Sequence, residues 1–246
     1  MGKVRGWWGG KEITMTFVAA CLNFAGPAWE RLCHHPWLDA LFAGALPDDR
    51  FDYWLAQDLP YLGEKFTAVA LSKAPPHGAW AKLEMEYIAR ASASRVELQL
   101  LEQYGDFAKT RWAARPRREA FINFFSRAVY EGTFGEICCA YYPCYAFPDI
   151  FGTRYKREQP TNLPPRQKAW VEQWIDPFFE SLWHATAEGV NEAGQYASPY
   201  QREKMQWLVL RAIQHQIGTF DAAWNMSDPW PGEGAETGVM AGRAKK

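Results

Sequence analysis

The chain has 246 residues, 48 % of them hydrophobic and 16 % aromatic, and its formal net charge is -1 at pH 7. That length suits one large domain or two small ones, and the nearly balanced charge predicts neither a nucleic-acid partner nor a membrane-surface partner. No run reaches the roughly 18 apolar residues typical of a membrane span, and the first residues lack the apolar segment of a secretory signal. We therefore expect a cytoplasmic protein with no membrane contact.

Apolar residues recur at helical spacing along almost the whole chain. Predicted helices cover residues 51–70, 83–104, 117–130, 134–147, 164–187 and 199–226, with loops at 43–48, 73–78, 105–116, 151–164 and 189–198. Pro60 removes a helical hydrogen bond, so a kink is expected in the turn before it, near residues 56–59. Ser198 followed by Pro199 is typical of a helix start.

The domain organisation follows from these helices. No sustained alternation of apolar and polar residues predicts a strand, and no loop is long enough to act as a linker between domains. The sequence predicts an all-α, single domain over residues 14–227. A flexible N-terminus is expected over 1–13 and a disordered, glycine-rich tail over 228–246, where Trp230 is the residue that could dock.

Motifs for metal, phosphate and serine-hydrolase chemistry are missing from the sequence. It contains no Glu-x-x-His pair of the kind that di-iron bundles use, and nothing matches GxGxxG, GxxxxGK or GxSxG. Glu180 and His184 stand at i, i+4, which is the pattern of a solvated helix face. The basic run RPRR at 115–118 is interpreted as a solvent-facing loop. The five cysteines include no CxxC pair and are predicted to be reduced thiols, and no metal site is predicted.

One cysteine has an unusual position, directly after a proline in the stretch YYPCYAF, residues 141–147. A buried cysteine is more often an inert thiol than a nucleophile. It becomes a nucleophile where its thiolate is favoured or where a base can take its proton. No histidine is close to Cys144 in the sequence, so a carboxylate from another helix would have to serve as that base.

Two stretches resemble the signatures of the TenA family, to which thiaminase II belongs. The first is HPWLDALFAGALPDDRFDYWLAQDLPYLGEKF, residues 35–66, with a Gly-x-Leu-Pro turn and Gln-Asp shortly before Tyr-Leu. The second is GTFGEICCAYYPCYAF, residues 132–147, which ends in Pro-Cys-Tyr. The resemblance extends over residues 29–225. It implies an all-α fold like that of haem oxygenase, a homodimer or homotetramer, no cofactor, and a small-molecule aromatic heterocycle as partner.

The resemblance also implies roles for individual residues. Cys144 corresponds to the nucleophile that attacks a pyrimidine ring, Asp58 to the carboxylate that holds the aminopyrimidine edge, and Tyr61 to a hydroxyl that bonds near the cysteine. An electron-poor ring with an amino group requires a carboxylate at that edge, a soft nucleophile at a ring carbon and aromatic walls to stack on. The residues expected to form the substrate-binding wall are Trp37, Phe121, Tyr145 and Trp174.

The sequence departs from the family pattern at the expected proton donor. The family glutamate on the last helix aligns with Gln216, and Asp221 is the alternative if the alignment slips. Glutamine can form hydrogen bonds but cannot donate and retrieve a proton as a carboxyl group does. Family tyrosines align with Phe121 and Trp174, which lack the hydroxyl.

These features predict a cofactor-independent, TenA-like hydrolase or lyase that acts on an aminopyrimidine or a related flat nitrogen heterocycle. Because Gln216 stands in place of the family acid, ordinary thiamin hydrolysis is not the expected activity. Two other classes stay open. One is a non-catalytic binding protein for such a ligand, and the other is a haem-oxygenase-like redox enzyme of specialised metabolism.

Overall fold

The computed structural model describes residues 5–8, 11–14, 16–62, 64, 66–89, 95–158, 160 and 162–233. The first half of the chain forms α1 (Phe17–Ala25), α2 (Pro27–Cys33), α3 (Pro36–Phe42), α4 (Asp48–Leu62), α5 (Phe66–Lys73), α6 (Ala79–Ala89) and α7 (Arg95–Tyr104). Two 3-10 turns, Asp106–Lys109 and Arg111–Ala113, lead into the second half. That half forms α8 (Pro116–Glu131), α9 (Phe134–Tyr145), α10 (Phe147–Glu158), α11 (Pro165–Trp174), α12 (Pro177–Tyr196) and α13 (Pro199–Asn225). The predicted all-α fold is confirmed.

In the structure, some predicted helices are divided and others extend into predicted loops. The predicted helix 164–187 is two helices, because Asp176 accepts a hydrogen bond from the backbone N–H of Phe178 at 2.8 Å and so caps a new helix that starts at Pro177. The second of them, α12, continues to Tyr196, through most of the predicted loop 189–198. The predicted loop 151–164 is likewise helical up to Glu158.

Two short strands precede the helices and were not predicted. They are β1 (Arg5–Trp8) and β2 (Lys11–Thr14), which pair antiparallel with Arg5 opposite Thr14 and Trp8 opposite Lys11. In the sequence, the dipeptide Gly-Gly separates the two runs, and this is a recognised signal of a two-residue hairpin connection. The hairpin lies within the predicted flexible segment 1–13, of which residues 1–4, 9 and 10 lie outside the described residues.

Helix α9 lies at the centre of the bundle and packs most extensively against α12 and α13. It starts with a capping box, in which the Thr133 hydroxyl accepts from the N–H of Glu136 and the Glu136 carboxylate accepts from the N–H of Thr133. Helix α13 starts in the same way at Ser198, as predicted. These caps set the starting points of the two helices that carry Cys144 and Gln216.

The high aromatic content forms the core on both sides of α9. One cluster of rings joins the first helices to the last ones and contains Trp37, Phe51, Trp54, Phe147, Phe151, Trp170, Trp174 and Phe220. A second cluster joins α5, α8 and α9 and contains Phe66, Phe121, Phe124, Phe125 and Tyr141. Aromatic side chains bury a large area each, so these clusters dominate the hydrophobic stabilisation.

The first residues of the predicted disordered tail dock on the bundle. Asp228 is buried, its carboxylate accepts from the backbone N–H of Arg117 at 2.7 Å, and its carbonyl accepts from Arg115 Nε at 2.9 Å. Arg115 also forms an ion pair with Glu233. The predicted disorder is therefore wrong for 228–233, and residues 234–246 lie outside the described residues. Over the described residues, every helix is too short or too polar to cross a bilayer.

Candidate active site

A cavity of about 1020 Å³ opens between α4, α8, α9, α11 and α13. It is lined by seven of the eight predicted site residues, which are Asp58, Tyr61, Phe121, Cys144, Tyr145, Trp174 and Gln216. These residues come from five helices that are distant in the sequence, so the cavity exists only once the bundle has assembled.

The thiol of Cys144 faces the side chain of Gln216. Its Sγ donates a hydrogen bond to Gln216 Oε1 at 3.5 Å. Burial raises the pKa of the Cys144 thiol well above its usual range, the nearby Asp58 raises it further, and Arg118 lowers it. The thiol is therefore protonated at neutral pH in the ligand-free protein, and Gln216 cannot remove its proton.

Asp58 and Arg118 form a buried ion pair at the edge of the cavity. Arg118 Nη1 lies 3.0 Å from Asp58 Oδ1, and the Arg118 side chain is only 3 % exposed. Burial raises the pKa of Asp58, and the adjacent guanidinium lowers it. The guanidinium carbon also lies 5.6 Å from the centroid of the Trp54 ring, within the range of cation–π attraction.

This placement corrects the interpretation of RPRR as a solvent-facing loop. The helix α8 starts at Pro116, so Arg118 belongs to its first turn and to the buried face that continues with Phe121, Ile122 and Phe125. The spacing i, i+3, i+4 and i+7 was present in the sequence. Sequence reasoning misses this spacing when the whole basic run is assigned to the surface, although only part of the run points outward.

Aromatic rings form walls of the cavity, and Phe121 and Trp174 are among the residues that line it. Phe121 is fully buried, and its ring is nearly parallel to that of His215 with the centroids 5.5 Å apart. Tyr61 packs edge to face against Phe66 and Phe125. Burial raises the pKa of Tyr61, so its hydroxyl is neutral and can donate or accept a hydrogen bond.

Trp37 lies outside the cavity, which corrects its predicted role in stacking on a ligand. It is fully buried, its indole N–H donates to the backbone carbonyl of Arg50 at 3.2 Å, and its ring lies 5.7 Å from that of Trp54. Trp54 lines the cavity in its place. A sequence motif marks a residue of the site region, but it cannot distinguish the cavity wall from the layer behind it.

The model of the TENA/THI-4/PQQC family matches residues 24–226. The chain belongs to this family. Among curated proteins, the chain is 25 % identical over 197 residues to the aminopyrimidine aminohydrolase of Bacillus subtilis, which covers 78 % of this chain and 82 % of that protein. It is 21 % identical over 218 residues to the aminopyrimidine aminohydrolase of Halalkalibacterium halodurans, which covers 86 % and 96 % respectively.

Solved structures of TenA proteins share the fold. A TenA homologue from P. horikoshii superposes with a TM-score of 0.66 at 17 % identity and covers 85 % of this chain and 99 % of its own. A TenA family transcription regulator from Silicibacter sp. TM1040 gives 0.67 at 19 % identity, with 84 % and 96 % covered. The architecture is therefore the all-helical, haem-oxygenase-like fold of TenA proteins.

Within this TenA fold, Gln216 and Asp221 occupy different surroundings. Gln216 lines the cavity beside the cysteine. Asp221 lies one to two turns further along α13, where its carboxylate pairs with Arg31 at 3.0 Å and with His35 at 3.1 Å. The geometry thus favours Gln216 over Asp221 as the residue that faces Cys144.

A second buried carboxyl group was not predicted. Glu84 on α6 is fully buried, and its Oε1 accepts a hydrogen bond from the Tyr145 hydroxyl at 2.5 Å. Burial raises the pKa of Glu84 to about 7, although the bond from Tyr145 lowers it. A signal was available, because Glu84 falls four residues after the buried Trp80 on the same helical face.

The described part of the chain contains no group of three or more His, Cys, Asp or Glu side chains that could hold a metal ion. Glu180 and His184 are both more than half exposed and lie 3.9 Å apart, as on a solvated helix face.

Proposed function

We propose that this TenA family member is a cofactor-independent, thiaminase II-like enzyme that hydrolyses an aminopyrimidine or a related flat nitrogen heterocycle. The observation that carries the proposal is the convergence of Asp58, Tyr61 and Cys144 on one cavity with aromatic walls. The family membership and the named activity of the two bacterial relatives support the same reaction class.

The cavity suits a flat ring that carries an amino group. Trp174 and Tyr61 offer ring surfaces for stacking. Arg118 engages one oxygen of Asp58, and the second oxygen can accept a hydrogen bond from the ligand's amino group. Because Arg118 neutralises Asp58, the site is suited to a neutral aminopyrimidine edge rather than to a lone cation.

In the proposed reaction, Asp58 accepts the proton of the Cys144 thiol, and the resulting thiolate attacks an electron-poor ring carbon of the ligand. The leaving group departs, and water then releases the product from the cysteine. Gln216 holds the thiol through its amide oxygen and orients the water. Tyr61 steadies the sulfur or the leaving group.

The experiment is product analysis with thiamin and aminopyrimidine fragments as substrates, followed by mass spectrometry. We expect release of a hydroxymethyl-aminopyrimidine or of the corresponding product of a related heterocycle. Cys144→Ser should lower kcat by at least about 10²-fold. The matched control is Cys33→Ser, a half-buried cysteine outside the cavity lining, which should retain activity. Unchanged turnover by Cys144→Ser would overturn the nucleophile role.

A second candidate function is a binding protein for the same class of ligand. It is favoured by the surroundings of Cys144, whose hydrogen-bond partner is an amide and whose thiol pKa is raised. A binding protein would show ligand-dependent stabilisation in thermal unfolding and no product. Multiple turnovers with any bound heterocycle would exclude it.

A further inference from the structure

We infer that Tyr145, supported by Glu84, supplies the proton that the leaving group takes up in the reaction. This inference rests on the proposed function and assigns the acid role to two residues of α9 and α6. Tyr145 is the residue that faces the ligand, and Glu84 acts through it.

The geometry places these two groups in a short chain that ends at the cavity. Tyr145 directly follows Cys144 and lines the same cavity. Its hydroxyl lies 2.5 Å from Glu84 Oε1, which is fully buried. The other oxygen, Oε2, has no hydrogen-bond partner among the described residues. A buried carboxyl group with one bonded and one free oxygen is more stable when it carries a proton.

Among the described residues, Glu84 has no counter-ion. The titratable groups that interact with it electrostatically are Tyr87 on its own helix and Cys138, Tyr141 and Tyr145 on α9. In the described ranges, no Lys, Arg or His forms an ion pair with Glu84.

The helices α12 and α5 pack against α6, and their charged groups are engaged elsewhere or exposed. His184 pairs with Glu180, and Lys73 donates to the carbonyls of Tyr130 and Gly132. Glu84 therefore exchanges a proton near neutral pH, as a general acid requires.

The proton path balances the reaction. As the bond between carbon and the leaving amine breaks, the amine nitrogen takes the hydroxyl proton of Tyr145. Tyr145 in turn takes the carboxyl proton of Glu84, which becomes a carboxylate. For this step the protonated Glu84 donates to the Tyr145 oxygen, the reverse of the hydrogen-bond direction in the ligand-free structure. The attacking water later gives up one proton, which returns through Tyr145 to Glu84, and the Cys144 thiolate takes its own proton back from Asp58 as the carbon–sulfur bond breaks. The net change is one water consumed, one alcohol formed and one amine released, with all four side chains restored.

Gln216 cannot perform this step, since an amide does not exchange its protons at the required rate. The structure therefore has an amide at the position that the resemblance assigns to an acid, and a protonatable carboxyl group one hydrogen bond away from Tyr145, which lines the cavity. The acid role moves from α13 to α6 and α9.

The test is the pH dependence of kcat with the substrate found by product analysis. In the wild-type protein, kcat should fall as the pH rises through about 7, because the protonated form of Glu84 is lost. Glu84→Gln and Tyr145→Phe should each lower kcat by about 10²-fold and remove this dependence. Tyr142→Phe is the matched control, because it is a buried tyrosine on the same helix outside the cavity lining and should leave the profile unchanged.

A measurement without substrate tests the protonation of Glu84 itself. The melting temperature of the wild-type protein should fall relative to that of Glu84→Gln between pH 5 and pH 8, because the native protein holds a proton that the unfolded chain releases at lower pH. If the difference between the two melting temperatures does not change with pH, the proton relay from Glu84 through Tyr145 is overturned.

The kinetic outcomes distinguish failure of the proton relay from failure of the proposed function. Turnover with an unchanged pH dependence in Glu84→Gln would overturn the relay alone, even if kcat were lower, because a purely structural residue changes rate without changing the profile. No turnover by the wild-type protein with any aminopyrimidine or related heterocycle would overturn the proposed function, and the relay with it.

Discussion

At the scale of single residues, the buried pair of Asp58 and Arg118 is the most consequential feature of the site. Two charges are removed from water, which costs several kcal/mol for each ion unless they compensate each other. Arg118 has two further nitrogens, Nε and Nη2, with no hydrogen-bond partner among the described residues. The pair therefore exists at an energetic cost, as functional sites often do.

Removal of one partner should be far more harmful than removal of both. Arg118→Met leaves Asp58 buried without a counter-ion and should lower the free energy of unfolding by about 3–5 kcal/mol at pH 8. The double variant Asp58→Asn with Arg118→Met should recover most of this loss. Urea unfolding of the four proteins in a double-mutant cycle measures the difference.

The pH dependence of this cycle has a defined sign. Without Arg118, only burial acts on Asp58, so its pKa rises further and the native state binds a proton more tightly. The loss in Arg118→Met should therefore shrink as the pH falls and be largest at high pH. Equal losses in the single and double variants would show that the guanidinium contributes through packing instead of charge.

At the scale of helices, the position of Cys144 depends on how closely α9 approaches α12. A Cβ atom added to Gly189 on α12 would lie 2.7 Å from Cys138 Sγ on α9, and one added to Gly135 would lie 2.2 Å from the Cβ of Ala193. Such distances are too short for real contacts. The two helices can therefore pack at this distance only with glycine at both positions.

Two glycine-to-alanine substitutions should have opposite effects. Gly189→Ala gains about 1 kcal/mol of helix propensity, but the clash with Cys138 costs about 1–3 kcal/mol, so a net loss of stability is expected. Gly152→Ala is the control. Gly152 lies within α10, and its added Cβ would be at an ordinary contact distance of 3.7 Å from Ile175. It should stabilise the protein by up to about 1 kcal/mol. Thermal unfolding distinguishes the two, and a stabilising Gly189→Ala would contradict the close approach.

At the scale of the whole molecule, the segment after α13 closes the structure over the start of α8. Arg115 links several elements, because its backbone N–H donates to Gln57 Oε1 at 2.8 Å and its side chain binds Asp228 and Glu233. Gln57 immediately precedes Asp58, and Arg115 precedes Arg118 by less than one helical turn. The docked segment is thus connected to the ion pair of the cavity.

Two truncated chains should show that the docked segment, residues 228–233, stabilises the protein and that the rest of the tail does not. A chain that ends at Ser227 leaves Arg115 buried without its partners and should lose about 1–3 kcal/mol of stability. A chain that ends at Glu233 keeps both contacts and should match the full-length protein. Urea unfolding of the three chains is the measurement, and equal stability of all three would contradict a structural role for residues 228–233.

The sequence by itself determined the fold class, the order of most helices and the identity of the chemical groups. Apolar spacing is a local property, so helices such as α8 and α13 follow from it, and motif order identified Cys144, Asp58 and Tyr61 together. The breaks between helices were less predictable, because Asp176 acts as a cap only where the next turn is free to begin at Pro177.

Only the tertiary structure decided which side chains meet. It placed Gln216, and not Asp221, beside Cys144. It also placed Trp37 outside the cavity, where Trp54 forms the lining instead. Arg118 became buried against Asp58. The tertiary structure also brought Glu84 to Tyr145, across 61 positions of sequence. Burial and pairing arise from helices that are distant in the chain, and they set the pKa values on which the chemistry depends. No local pattern contains that information.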